Sequence, residues 1–255
     1  MIDSKKFNLP FRNNSSSYYQ CPTCKNGHLK IKNGTFSSHE SRISLESHEH
    51  PNFNFDYVSY VYSCLFECTN DACKETVASS GYGYVDWDIE VDDEGYQEQI
   101  YSDYFRPLHF HPALKIIDIP KNVPDEVKSI IENSFTVFFI SPNSCVNQIR
   151  TSLEAVLTDL GIPKFTINKN KKRQILSLHS RISKLPTKYN ELKVILFALK
   201  WLGNSGSHTD SNRVSISDAI DAYEFLDYLL SEVYEEKSEK IIKKAKKINK
   251  AKGVK

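Results

Sequence analysis

Five of the six cysteines in this 255-residue sequence fall between positions 21 and 73. Four of them form two short pairs, Cys21-Pro-Thr-Cys24 and, 43 residues later, Cys68-Thr-Asn-Asp-Ala-Cys73. Turns this tight let two thiolates and nearby backbone N–H groups converge on one ion, and two such turns complete a tetrahedral four-sulfur zinc site. Four thiolates close the coordination sphere, so the expected zinc, one per chain, is structural and activates no water. Cys64 competes for the site. In VSYVYSCLFEC, however, it alternates with Tyr62 and Phe66, which predicts a buried thiol on one face of a strand. Cys145 reads as a core residue of a later helix. His39, His48 and His50 lie in the polar stretch SSHESRISLESHEHPNF and are expected in an exposed loop. Replacement of one cysteine ligand by a histidine is the alternative.

A second group of chemically capable residues lies in LKWLGNSGSH, positions 199 to 208. One reading is structural: Gly203 ends a helix in a left-handed cap, Asn204 ties down the turn, and His208 hydrogen-bonds in a groove. Arg150 and Glu154, four apart on an earlier helix, then pair with each other or across the bundle. The other reading brings Arg150, Lys200, Asn204 and His208 together where two helices meet, to bind RNA or a nucleotide.

The elements that must position these residues change character along the chain. Through residue 110 the signals are those of strands. In VDWDIEV, Val85, Trp87, Ile89 and Val91 alternate with Asp86, Asp88 and Glu90, and the acids and glycine at 92–95 mark a turn into a further strand, YQEQIYSDYF. PLHFHPALKIIDIPKNVPDEV, with four prolines, reads as an extended connector. Beyond Pro124 the apolar spacing becomes helical. One helix is predicted from about Asn143 to Leu160, stopped by Gly161. A shorter one runs through Ile175, Leu178, Ile182 and Leu185 to Pro186, and a longer one buries Tyr189, Leu192, Leu196, Leu199 and Leu202. The last begins near Ser217. The expected class is α+β: a β-rich zinc ribbon over 1–110, a Pro-rich connector over 111–124, an antiparallel helical bundle over 125–236, and a basic tail over 237–255.

The net charge of +1 conceals an asymmetry. Residues 237–255 hold nine Lys and one Glu, or +8, which leaves −7 for the rest. Lys243, Lys244, Lys246 and Lys247 are candidates for an arm that finds nucleic acid by counterion release; a solvated helix extension is the bland alternative. Residues 76–105 carry eight acids and no Lys or Arg; the acidic face is expected to be simply solvated, and a functional role for it would be to repel nucleic acid and favour a basic protein partner. No run approaches the roughly 20 apolar residues of a membrane helix, and MIDSKKFNLPFRNN lacks a signal-peptide core, so a cytoplasmic protein is expected.

CPTC, ECTNDACKE, YFRPLHFHP, QIRTSLEAVLTDLGI and LKWLGNSGSH together resemble a bacterial family of unknown function. In that family a zinc ribbon precedes a helical domain with an R-x3-E helix and a later G-N-x3-H signature. Related helical domains are attached to restriction-endonuclease subunits and are similar to HEPN bundles (higher eukaryote and prokaryote nucleotide-binding). The resemblance implies a HEPN-like bundle, a place in anti-phage or restriction-type defence, and RNA binding or metal-independent RNA cleavage. His208 would then move protons, and Lys200 and Asn204 would complete the site. Here the chain departs from the HEPN ribonuclease pattern of Arg, four to six residues, then His: the basic residue before His208 is Lys200, with seven residues between, and lysine cannot clamp phosphate through two parallel bonds. Arg150 would contact nucleic acid, and a homodimer would complete a site shared between copies. A non-catalytic adaptor that recruits a protein partner through the ribbon and the bundle is the alternative function.

Overall fold

The computed structural model describes residues 4–13, 18–91, 94–205, 214–235 and 249–250. The chain divides into two compact units, Asp3–Lys115 with Phe135–Pro142, and Ile116–Ser134 with Asn143–Lys255.

The first unit is built on a five-stranded antiparallel sheet. Its strands are β1 (Leu29–Ile31), β2 (Ser37–Glu40), β3 (Ser59–Cys68), β4 (Thr76–Val91) and β5 (Gln97–His111). The order is β1-β3-β4-β5, with β2 also on β3. A short helix α1 (Ser4–Asn8) precedes the sheet, and α2 (Arg42–Ser47) follows β2. Strand periodicity does what the sequence predicted in β3, where Tyr62, Cys64, Phe66 and Cys68 face inward and Val61 and Leu65 outward. Phe11, Tyr62, Phe66 and Phe105 pack ring on ring at centroid distances of 5.4–6.0 Å. The sheet curls where the β4–β5 register shifts at Ser80/Gly81, since an extra residue on one strand bends the ladder. Gly81 is needed there because a Cβ would overlap the Arg106 carbonyl oxygen.

Two local expectations change here. Pro107–His111 belong to the end of β5, where Pro107 sits in an outer strand that tolerates its missing N–H. The histidine-bearing insert is ordered. His39 lies in β2, and His48 Nε2 lies 2.8 Å from Glu40 Oε2. None of His39, His48 and His50 joins the cysteines.

The second unit contains α4 (Pro142–Asp159), the hairpin β6 (Phe165–Ile167) and β7 (Arg173–Ile175), and the helices α5 (Leu178–Ser183), α6 (Asn190–Ser205) and α7 (Ile216–Tyr234). Helix α3 (Asp125–Val137) contributes its residues up to Ser134. Tyr223 of α7 ties three helices together: its Oη lies 2.6 Å from Ser134 Oγ and 3.2 Å from Cys145 Sγ, all buried. Ser215 and Asp218 form a reciprocal capping box that starts α7. Arg181, 1% exposed, donates to the Glu154 and Ile162 carbonyls and to Thr158 Oγ1, pinning α5 to the end of α4.

The class is therefore α+β, but the expected antiparallel HEPN-like bundle is corrected. The second unit mixes helices of very different length with an antiparallel hairpin. The physical reason lies in 164–175, where Phe165, Ile167, Arg173 and Ile175 share a face at period two rather than 3.6. Ile175, expected in a helix, is instead an exposed strand residue. Gly203 is a second correction: it lies inside α6, which runs on to Ser205, and its φ is not positive.

Candidate functional site

The four expected cysteines converge. All sulfurs of Cys21, Cys24, Cys68 and Cys73 lie within 4.8 Å of one another, with Cys21 and Cys73 at 3.8 Å and Cys24 and Cys68 at 3.6 Å. Each pair ends in a lysine with positive φ, Lys25 at 57° and Lys74 at 51°, so both turns fold back alike. The Asn70 N–H donates to Cys68 Sγ at 3.4 Å and its amide to Cys24 Sγ at 3.6 Å. A Cβ on Gly27 would overlap Cys68 Sγ, which explains the glycine three residues after Cys24. Burial opposes ionisation of Cys24, but N–H groups of Gly27 and Asn26 and the Asn70 amide bring its thiol down to about 6. Burial pushes Cys68 up to about 12. Four sulfurs this close cannot all ionise without a cation among them, and the donor set suits a thiophilic ion such as zinc. Cys64 stays apart, buried on β3, its thiol raised to about 12 by burial.

The second expected group is only partly assembled among the described residues. Arg150 of α4 lies against Gly203 of α6, where a Cβ would come within 2.6 Å of Arg150 Cβ. The glycine thus permits close approach of two helices, and the same feature in the sequence had suggested a cap. Lys200 is 9% exposed, with its Nζ 3.5 Å from the Trp201 ring centroid, and Asn204 is half-buried. Arg150 and Glu154 form no ion pair; the Glu154 carbonyl accepts from Arg181 instead. His208 lies outside the described residues, as do Lys243, Lys244, Lys246 and Lys247.

A further cationic feature among the described residues lies in the basic stretch NKNKKRQ, outside the two expected groups. The β6–β7 hairpin carries Lys164, Lys169, Lys171, Lys172 and Arg173, all exposed. No ion pair engages any of them among the described residues. Its tight turn is held by Asn168, whose side chain accepts from the Asn170 and Lys172 N–H groups at 3.0 Å, and by Lys171 at φ 58°. One face presents Ile167 and Ile175, each 74% exposed, beside Phe165, over which Arg173 stacks at 3.6 Å. The sequence did contain the signal: from 160 to 190 there are eight Lys and Arg and no acid.

No helix among the described residues is long and apolar enough to cross a membrane. Residues 9–110 match a family described as a domain of unknown function (DUF8608), and residues 132–251 match a second, likewise a domain of unknown function (DUF4145). Comparison with curated proteins and with solved structures returns no match.

Proposed function

We propose that this chain is a nucleic-acid-binding protein that engages RNA through the β6–β7 hairpin, with its sheet unit stapled by zinc. The carrying observation is the hairpin itself: five exposed cations without an acid among them, interleaved with an aromatic ring and two exposed isoleucines. Cations on such a finger neutralise phosphates and release counterions, while Phe165 and the Arg173 guanidinium offer flat surfaces on which bases stack. This chemistry follows a backbone without reading its sequence. The zinc closes its own coordination sphere and supplies no reaction; it holds the sheet unit together. Restriction-type or anti-phage defence is the setting that the family resemblance implies. Lys200, with its ammonium turned to Trp201, supports a packing role better than a phosphate clamp.

The test is fluorescence polarisation of a labelled oligouridylate against wild-type protein and a Lys169→Gln/Lys172→Gln/Arg173→Gln variant. The variant should keep its melting temperature and lose at least about tenfold in affinity, since each lost phosphate contact lowers binding. Equal affinity of the two proteins, or binding of anionic vesicles in place of RNA, would remove the hairpin from this role.

A further inference from the structure

The sheet unit carries an arm that extends past the end of β3, touched on its apolar face by Phe55, whose ring lies 4.6 Å from that of Tyr101. Pairing of β3 with β4 ends at Ser59↔Tyr84, whereas β4 and β5 remain paired as far as Val91↔Gln97. Residues 85–91 and 97–103 therefore form a two-stranded ribbon beyond the rest of the sheet. Its two faces differ. Trp87, Ile89 and Val91 share one face with Tyr101, and Trp87 and Val91 are 58% and 56% exposed. Asp86, Asp88, Glu90 and Glu98 share the other, and no Lys or Arg occurs from 76 to 105. Isolated two-stranded ribbons are marginal in water, and open edges with exposed large apolar side chains invite a further strand.

The chain itself shows what such a strand looks like. Phe11 forms an antiparallel bridge with Phe105 of β5, with N–H···O distances of 3.0 and 2.8 Å. Because side chains alternate, Phe11 enters the aromatic core while Arg12 turns to the opposite face. There Arg12 pairs with Asp88 and donates to Tyr104 Oη at 2.8 Å. One apolar residue on one face and one cation on the other thus match both sides of the sheet.

We propose that the arm is a docking site for an extended segment of a partner protein in which large apolar residues alternate with lysine or arginine. The segment adds as a strand along an edge of the arm. Its apolar residues cover Trp87, Ile89 and Val91, and its cations meet Asp86, Glu90 and Glu98. Main-chain hydrogen bonds supply affinity in this mode, and alternate side chains supply specificity. A second copy of the arm is a poor occupant, because it would bring Glu90 and Glu98 against their own like.

The probe is a labelled peptide of about eight residues, matching the arm at roughly 3.3 Å per residue, with valine alternating with lysine and arginine. Two controls accompany it: a peptide of the same composition with valines and cations in separate blocks, and an alternating peptide with glutamate for every cation. The alternating basic peptide should bind the full chain. Glu90→Lys/Glu98→Lys should weaken it about tenfold or more by juxtaposing like charges, and Trp87→Ser should weaken it without lowering the melting temperature. Equal binding of the block or acidic peptide, no binding of the basic one, or indifference to both arm variants would overturn the proposal. None of these outcomes depends on whether the hairpin binds RNA.

Discussion

Gly203→Ala tests the close approach of α4 and α6 by the sign of a stability change. Within a helix, alanine is favoured over glycine by about 1 kcal/mol, so propensity alone predicts a more stable protein. The new Cβ would lie 2.6 Å from Arg150 Cβ, 2.8 Å from its Cδ and 3.2 Å from its Cγ. Comfortable carbon contacts lie near 3.5–4.0 Å. The Cδ and Cγ can swing away, but Cβ is fixed to the backbone of α4, so α4 and α6 must part. Overpacking of this kind costs about 1–3 kcal/mol. Taking the middle of that range and subtracting the propensity gain leaves a net loss of about 1 kcal/mol, or roughly 2–4 °C in melting temperature for a chain of this size. Thermal unfolding followed by circular dichroism measures it. An Arg150→Gly background removes the opposing Cβ, and there Gly203→Ala should become stabilising. A higher melting temperature for Gly203→Ala in the native background would refute the close-approach role.

The remaining predictions concern the metal centre and the α4–α5 junction. Cys68→Ser should lose bound zinc, measured by elemental analysis, and loosen the sheet unit, while Cys64→Ser should keep the full metal content and cost only packing. Gly27→Ala should behave like a ligand mutation, because its Cβ displaces the Cys68 sulfur; unchanged zinc affinity would contradict that geometry. Arg181→Met preserves bulk but strands the Glu154 and Ile162 carbonyls, so denaturant unfolding should show a loss of about 2–4 kcal/mol.

Some of this molecule was plain in its sequence. The two cysteine pairs identified the four-sulfur cluster because tight turns are local, and a tight turn needs only its own few residues to form. Alternation fixed which face of β3 holds Cys64, and helical spacing placed the start of the last helix near Ser217, next to Ile216 where α7 begins. What escaped depends on partners distant in the chain. Gly203 looks the same as a cap or as a contact; only Arg150, across two helices, decides. Phe165, Ile167, Arg173 and Ile175 form a strand pair rather than a helix because each half supplies the other's hydrogen bonds. The β4–β5 arm, too, was visible as alternating residues. That it outruns β3 follows from pairing register, which no single strand encodes.

The central claim, RNA binding by the β6–β7 hairpin, is tested most directly by the salt dependence of affinity. For single strands the slope of log K against log salt is about −0.7 per phosphate neutralised. The account predicts that oligouridylate binding weakens steeply with salt. Lys169→Gln/Lys172→Gln/Arg173→Gln should flatten the slope by about 2 units for the three lost contacts, with melting temperature and zinc content unchanged. A variant whose slope equals that of the wild type would contradict it.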